Sequence, residues 1–213
     1  MILLIGGEKG GSGKSCLAQN LAVLLQKSGR DILLVDADPQ ATSFDWCEER
    51  SNNAELKPIT CAKLHGRIDA QIIDLSTRYQ DIIIDAGGQD SAALRSSMIV
   101  ASHMLLPFRP KRRDLKTLEH ASVLISEAKM VNPKLMARAI ITQCPTLPSQ
   151  VNRILESKSV CNAFDVVALN SITMQRNIYD DADENGLSVF DSDADLKAQN
   201  EIREIAKEFL GIE

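Results

Sequence analysis

The stretch EKGGSGKS, residues 8–15, lies between an apolar run and an amphipathic segment. A phosphate-binding P-loop has the form GxxxxGK[ST]. Gly13, Lys14 and Ser15 supply its second half, but Glu8 stands where the first glycine belongs, and a second lysine, Lys9, follows it. Upstream, Ile2, Leu3, Leu4 and Ile5 read as a strand buried on both faces. Downstream, Leu17, Leu21, Leu24 and Leu25 fall at helical spacing, and Gly29 supplies a stop. Between a strand and a helix, the loop Gly10, Gly11, Ser12 and Gly13 forms a phosphate cradle. Its backbone N–H groups converge on phosphate oxygens, and the helix N-terminus adds a favourable dipole. In such a loop Lys14 reaches the β- and γ-phosphates, and the Ser15 hydroxyl ligates Mg²⁺.

The rest of the chain suits that reading. Its 213 residues are 44% hydrophobic and 25% charged, as expected of one globular domain with a sizeable core. No apolar run approaches a membrane span and no signal peptide precedes the first strand, so a cytoplasmic location is expected. Cys16, Cys47, Cys61, Cys144 and Cys161 are scattered without a CxxC pair, which fits reduced thiols better than a disulfide framework or a metal cluster. A net charge of −5 does not advertise nucleic acid over the whole surface.

Apolar runs at residues 32–35, 82–84, 104–106, 137–141 and 166–169 alternate with helical patterns near 41–52, 66–78, 91–101, 112–130, 147–157, 175–185 and 194–210. That alternation predicts a doubly wound α/β fold with a mostly parallel sheet flanked by helices, a single domain over residues 1–213. Two strands end in acid, where open α/β sheets bind ligands. DILLVDADPQ puts Asp36 and Asp38 just past its strand, and DIIIDAGGQD puts Asp85 before a Gly-Gly turn. An aspartate there is often a helix N-cap, but beside GKS it is placed to support Mg²⁺, usually through water.

KGGSGKS resembles the deviant Walker A loop of the ParA/MinD group of ATPases, VDADPQ its switch I, and IIIDAGG its Walker B and switch II. LLPFRPKRRDLKTLE and MQRNIYDDADENGLSVFD extend the likeness over nearly the whole chain, nearest to small plasmid-partition ParA proteins without an N-terminal helix-turn-helix. The resemblance implies a weak ATPase using ATP/ADP and Mg²⁺, which dimerises on ATP with Lys9 touching the partner's phosphates. It further implies Asp38 positioning the attacking water, Asp36 and Asp85 behind Mg²⁺, and Cys16 beside the phosphates. Adenine is expected between Thr142–Gln143 and the Pro107–Pro110 loop. The implied cycle segregates plasmid or other mobile DNA with a small ParB-like DNA-binding partner. Nonspecific DNA would then be held by Lys111, Arg112, Arg113, Lys116 and Arg176, giving nucleoid association. The alternatives are a positioning ATPase for a protein cargo or conjugation machinery, a MinD-like membrane switch and a metabolic P-loop ligase.

Three departures stand out. Glu8 brings a carboxylate near phosphates unless it points outward or pairs with a lysine. Cys16 replaces the usual threonine, and DAGGQD lacks the prolines common in switch II. Against DNA, Asp180, Asp181, Asp183, Glu184, Asp191, Asp193 and Asp195 make the C-terminal region acidic. In the last helix Leu196, Ile202, Ile205, Phe209 and Leu210 form an apolar stripe. Glu201, Glu204 and Glu208 balance Arg203 and Lys207 there, so packing on the core is expected rather than membrane binding. His65, His103 and His120 are dispersed and receive no role.

Overall fold

Because successive strand residues point to opposite faces, an unbroken apolar strand needs a cover on both sides. The computed structural model supplies both covers. It describes residues 1–88, 90–181, 184–192 and 194–212. Asp183, Asp193 and the Glu184 side chain, all from the acidic stretch, lie outside the described residues, as do Gln89, Ala182 and Glu213. Seven parallel strands form one sheet, in the order β3-β2-β4-β1-β5-β6-β7. They are β1 (Ile2–Ile5), β2 (Ile32–Ala37), β3 (Thr60–Lys63), β4 (Asp81–Ala86), β5 (His103–Phe108), β6 (Met136–Cys144) and β7 (Ala168–Met174).

Leu4, Val35, Ile82 and Ile84 face one core with helices α3 (Asp69–Leu75), α4 (Ala92–Val100), α6 (Leu118–Val131) and α7 (Val151–Ala163). Leu3, Ile5, Leu34 and Ile83 face the other, with α1 (Lys14–Lys27), α2 (Thr42–Asn52) and α9 (Leu196–Ile205). The doubly wound parallel fold expected from the alternation is therefore the one observed. Register sets the ligand end: Ile5, the last residue of β1, pairs with Asp85, and Asp85 pairs with Asp36.

The sequence reading missed β3 and displaced β7, the two edges of the sheet. TCAK carries no apolar run to reveal β3. In β7, ALNSITM mixes polar and apolar residues, and the apolar signal at Val166 belongs to the turn before it. Carboxylates cover this edge: Glu208 accepts from the Asn170 and Ser171 N–H groups at 2.7 Å, and Glu201 accepts from Met174 N–H at 3.0 Å. An edge occupied in this way is unavailable to another strand.

The expected 112–130 helix divides into α5 (Arg112–Leu115) and α6, and the 175–185 helix into α8 (Asn177–Asp181) and a 3-10 turn at Glu184–Gly186. The last helix packs on the core as expected, with Ile202 and Ile205 fully buried, although Leu196 is exposed. It continues as a π turn, Ala206–Leu210, and stops at Gly211. Among the described residues no helix is long and apolar enough to cross a membrane.

Candidate nucleotide-binding site

The chain leaves β1 into the loop at the sheet's centre, where strand order reverses and ligand crevices form. Gly11 and Gly13 have φ of 69° and 88°, left-handed values that residues with a Cβ seldom adopt. Inside the loop, Lys14 Nζ donates to the Lys9 carbonyl at 3.0 Å and Ser12 Oγ donates to the same oxygen at 3.1 Å. From β6, Thr142 Oγ1 donates to the Ser12 carbonyl at 2.8 Å, and Gln143 Nε2 to the Gly11 carbonyl at 3.0 Å. Gln143 itself sits at φ 49°, a strained position for a side-chain-bearing residue and one that recurs at binding sites.

The loop borders a cavity of about 910 Å³. Gly10, Gly11, Gly13, Lys14, Ser15 and Cys16 line its floor, and Asp38, Thr42, Gly87 and Gly88 one wall. Thr142, Gln143 and the segment from Thr173 to Arg176 line the other, with Tyr179 and Asp180. Room, backbone donors and a buried ammonium together suit a nucleotide. Burial lowers the Lys14 pKa, while the Asp85 and Asp38 carboxylates oppose that shift.

The three aspartates occupy different positions around the cavity. Asp36 is fully buried, and its carboxylate accepts from Asp38 N–H at 2.9 Å and Phe44 N–H at 2.8 Å. It organises the β2–α2 connection without lining the cavity, and it neighbours Asp85 across the sheet. Asp38 does line the cavity. A Cβ on Gly87 would lie 3.0 Å from the Asp38 carboxylate, so a larger residue there would displace that side chain.

Asp85 accepts from Ser43 Oγ at 2.7 Å, and its Oδ1 is buried without a hydrogen-bond partner among the described residues. Burial pushes its pKa up to about 7, although the Ser15 and Ser43 hydroxyls and Lys14 pull it back. An orphaned carboxylate oxygen beside Ser15 and Lys14 fits a hydrated Mg²⁺, because oxygen ligands and water complete that ion's shell.

Other predicted residues also move. Ser12 is buried and braces the loop instead of facing the cavity. Pro110 lines a second, separate cavity and not the nucleotide wall. Arg176 lies on the nucleotide wall, away from the Lys111–Lys116 cluster. It donates to Glu201 at 2.8 Å and to Asp195 at 3.4 Å, so its charge is already matched. The sequence reading missed the Thr173–Tyr179 wall, because β7 had been placed too early in the chain. It also missed Arg109, whose guanidinium lies 3.6 Å from where a Cβ on Gly11 would stand and grips the buried Asp114 carboxylate at 2.6 and 3.1 Å.

Glu8 does not oppose phosphates. Its carboxylate turns outward to the His120 ring of α6, which also approaches Asp90, so its partner is a histidine rather than a lysine. Lys111, Arg112, Arg113 and Lys116 are exposed, and among the described residues none is ion-paired.

Residues 3–207 match the CobQ/CobB/MinD/ParA nucleotide-binding domain family. The chain is 28% identical over 211 residues to the maintenance of carboxysome distribution protein A of Halothiobacillus neapolitanus, covering 98% of this chain and 95% of that one. Among solved structures, it superposes on an ATP complex of a substituted Cyanothece McdA with a TM-score of 0.81. That pair is 16% identical, covering 100% of this chain and 96% of the other. A Borrelia burgdorferi putative plasmid partition protein bound to AMPPNP gives 0.72 at 18% identity, covering 99% and 98%.

Proposed function

Because this chain belongs to the CobQ/CobB/MinD/ParA family of nucleotide-binding domains, we propose that it is an ATP-driven dimerisation switch that positions a protein assembly as its cargo. Lys9 carries the switch. Its carbonyl is fixed by Lys14 and Ser12, it does not line its own cavity, and its ammonium has no ion-pair partner among the described residues. A cation rooted in this way at the lip of the phosphate loop is suited to the phosphates of a second subunit, in the manner of an arginine finger. Two such lysines repel until a triphosphate lies between them, so closure depends on ATP.

Within one subunit, Lys14 gives up the Lys9 carbonyl to hold the β- and γ-phosphates. Asp38, with its backbone N–H held by Asp36, orients the attacking water at the γ-phosphate. Ser15 would hold Mg²⁺, with Asp85 behind it through water. The ion supplies neutralisation of developing phosphate charge. Arg176 and Tyr179 frame the far wall, where the base would lie.

The end-to-end match to a carboxysome distribution protein supports a protein cargo. A second reading, partition of plasmid DNA, is supported by the likeness of fold to the Borrelia protein. Deleting the gene separates them, with plasmid loss and the spacing of protein assemblies scored in the same cells. Clustered assemblies with unchanged plasmid inheritance support the first reading, and plasmid loss alone supports the second. The absence of both defects would overturn both readings.

A further inference from the structure

The second cavity, of about 800 Å³, lies between α7 and the α5–α6 segment, apart from the nucleotide. Along α7, Arg153, Ser157 and Val160 recur at helical spacing and Phe164 follows as its C-cap, so one face of that helix lines it. Leu115 joins Val160 and Phe164 to give an apolar floor. The rim is basic: Lys111, Arg112, Lys116 and Arg153 outnumber Glu119 and Glu156, on a chain whose net charge is −5. From Arg153 to Phe164 the groove follows about 16 Å of helix axis, enough for about three turns of a partner helix.

We propose that this groove docks an acidic amphipathic segment of a partner protein, its apolar residues on Leu115, Val160 and Phe164 and its carboxylates on the basic rim. Charge complementarity selects that occupant. Duplex DNA would use the same cations but leave the apolar floor uncovered, because phosphate contacts need only charge. An amphipathic helix uses both, through anchors at helical spacing and ion pairs at the edge. The groove also adjoins the phosphate loop through Arg109. Arg109 reaches toward Gly11, 3.6 Å from where a Cβ there would stand, and holds Asp114 of the α5 turn that carries Arg112. The inference concerns a site distinct from the nucleotide cavity and stands whichever cargo is moved.

The test is a random-peptide phage library panned on the full chain with ATP present, followed by anisotropy measurements on a synthetic copy of the enriched peptide. Enrichment of Asp/Glu-flanked Leu, Phe or Trp is expected. Arg112→Glu with Arg153→Glu should weaken that peptide by about tenfold or more, and Val160→Glu should do likewise, because each removes a central contact. An unchanged ATP-induced melting shift in the same variants shows that they fold, and the milder Lys116→Ala should weaken the peptide less. The proposal is overturned if no acidic peptide is enriched or if the charge reversals leave binding intact. It is equally overturned if the variants lose binding to a duplex oligonucleotide while no acidic peptide is selected, which would assign the cluster to DNA.

Discussion

Lys14 Nζ donates to the Lys9 carbonyl oxygen at 3.0 Å, so the two lysines of the loop are joined before any phosphate arrives. Lys14 is thereby held nearly buried at the position a β-phosphate would take from it. The backbone of Lys9 is fixed by the same contact, and its side chain alone is left to act.

Replacing Lys14 separates binding from folding. Lys14→Met removes a buried ammonium whose desolvation is costly, so the nucleotide-free protein should melt at or slightly above the wild-type temperature. Nucleotide at 100 times its dissociation constant should stabilise the wild type by about 2.7 kcal/mol. That shift should vanish in the variant, and calorimetry with and without ATP reads both effects. A variant still stabilised by ATP would contradict the assignment of Lys14.

Asp38 lines the cavity but makes no hydrogen bond to the loop, so its loss should spare binding. Asp38→Ala should keep ATP-dependent association and lose turnover by about a hundredfold or more, the range of a positioned acid–base group. Phosphate release alongside sedimentation checks the two properties together. Turnover within a few-fold of wild type would show that another group positions the water.

Far from the cavity, Arg50 of α2 is buried against Asp191 at 2.7 and 3.2 Å and donates to the Gly186 carbonyl. A Cβ on Gly186 would lie 2.2 Å from the Arg50 backbone nitrogen, at a φ of 69°. Gly186→Ala should therefore cost about 2–4 kcal/mol in urea unfolding, from strain and displaced backbone. Asp191→Asn leaves the guanidinium buried without its charge partner and should cost about 3–5 kcal/mol.

That second cost should depend on pH. Burial by itself would raise the Asp191 pKa, but Arg50 and Ser188 outweigh it and hold it below the usual carboxylate value. A depressed carboxylate stabilises the fold above its unfolded pKa, about 3.9 for aspartate, and loses that contribution as pH falls through the folded value. The difference between wild type and Asp191→Asn should be full at neutral pH and shrink below about pH 4. A constant difference across that window would place the stabilisation in packing instead of charge.

The phosphate loop, the central strands and the aspartates near the C-terminal ends of β2 and β4 were legible in the sequence because each is local. Ile2–Ile5 must be covered on both faces, and GKS needs a helix to follow it. What escaped was set by partners distant in the chain. β3 and β7 sit at sheet edges, where polar residues survive because only one side needs burial, and Glu201 and Glu208 finish the edge from elsewhere. Arg176 reads as a free cation until Glu201 and Asp195 are placed beside it. Glu8 reads as a misfit until His120, 112 positions away, turns it from the phosphates.

The most direct test of the switch is the mass in solution, by light scattering, of wild type and Lys9→Ala with ATP or ADP. The account predicts a dimer for the wild type with ATP, a monomer with ADP, and a monomer for Lys9→Ala with either nucleotide although both still bind. The same wild-type mass with ATP and ADP, or an undiminished ATP dimer in Lys9→Ala, would contradict it.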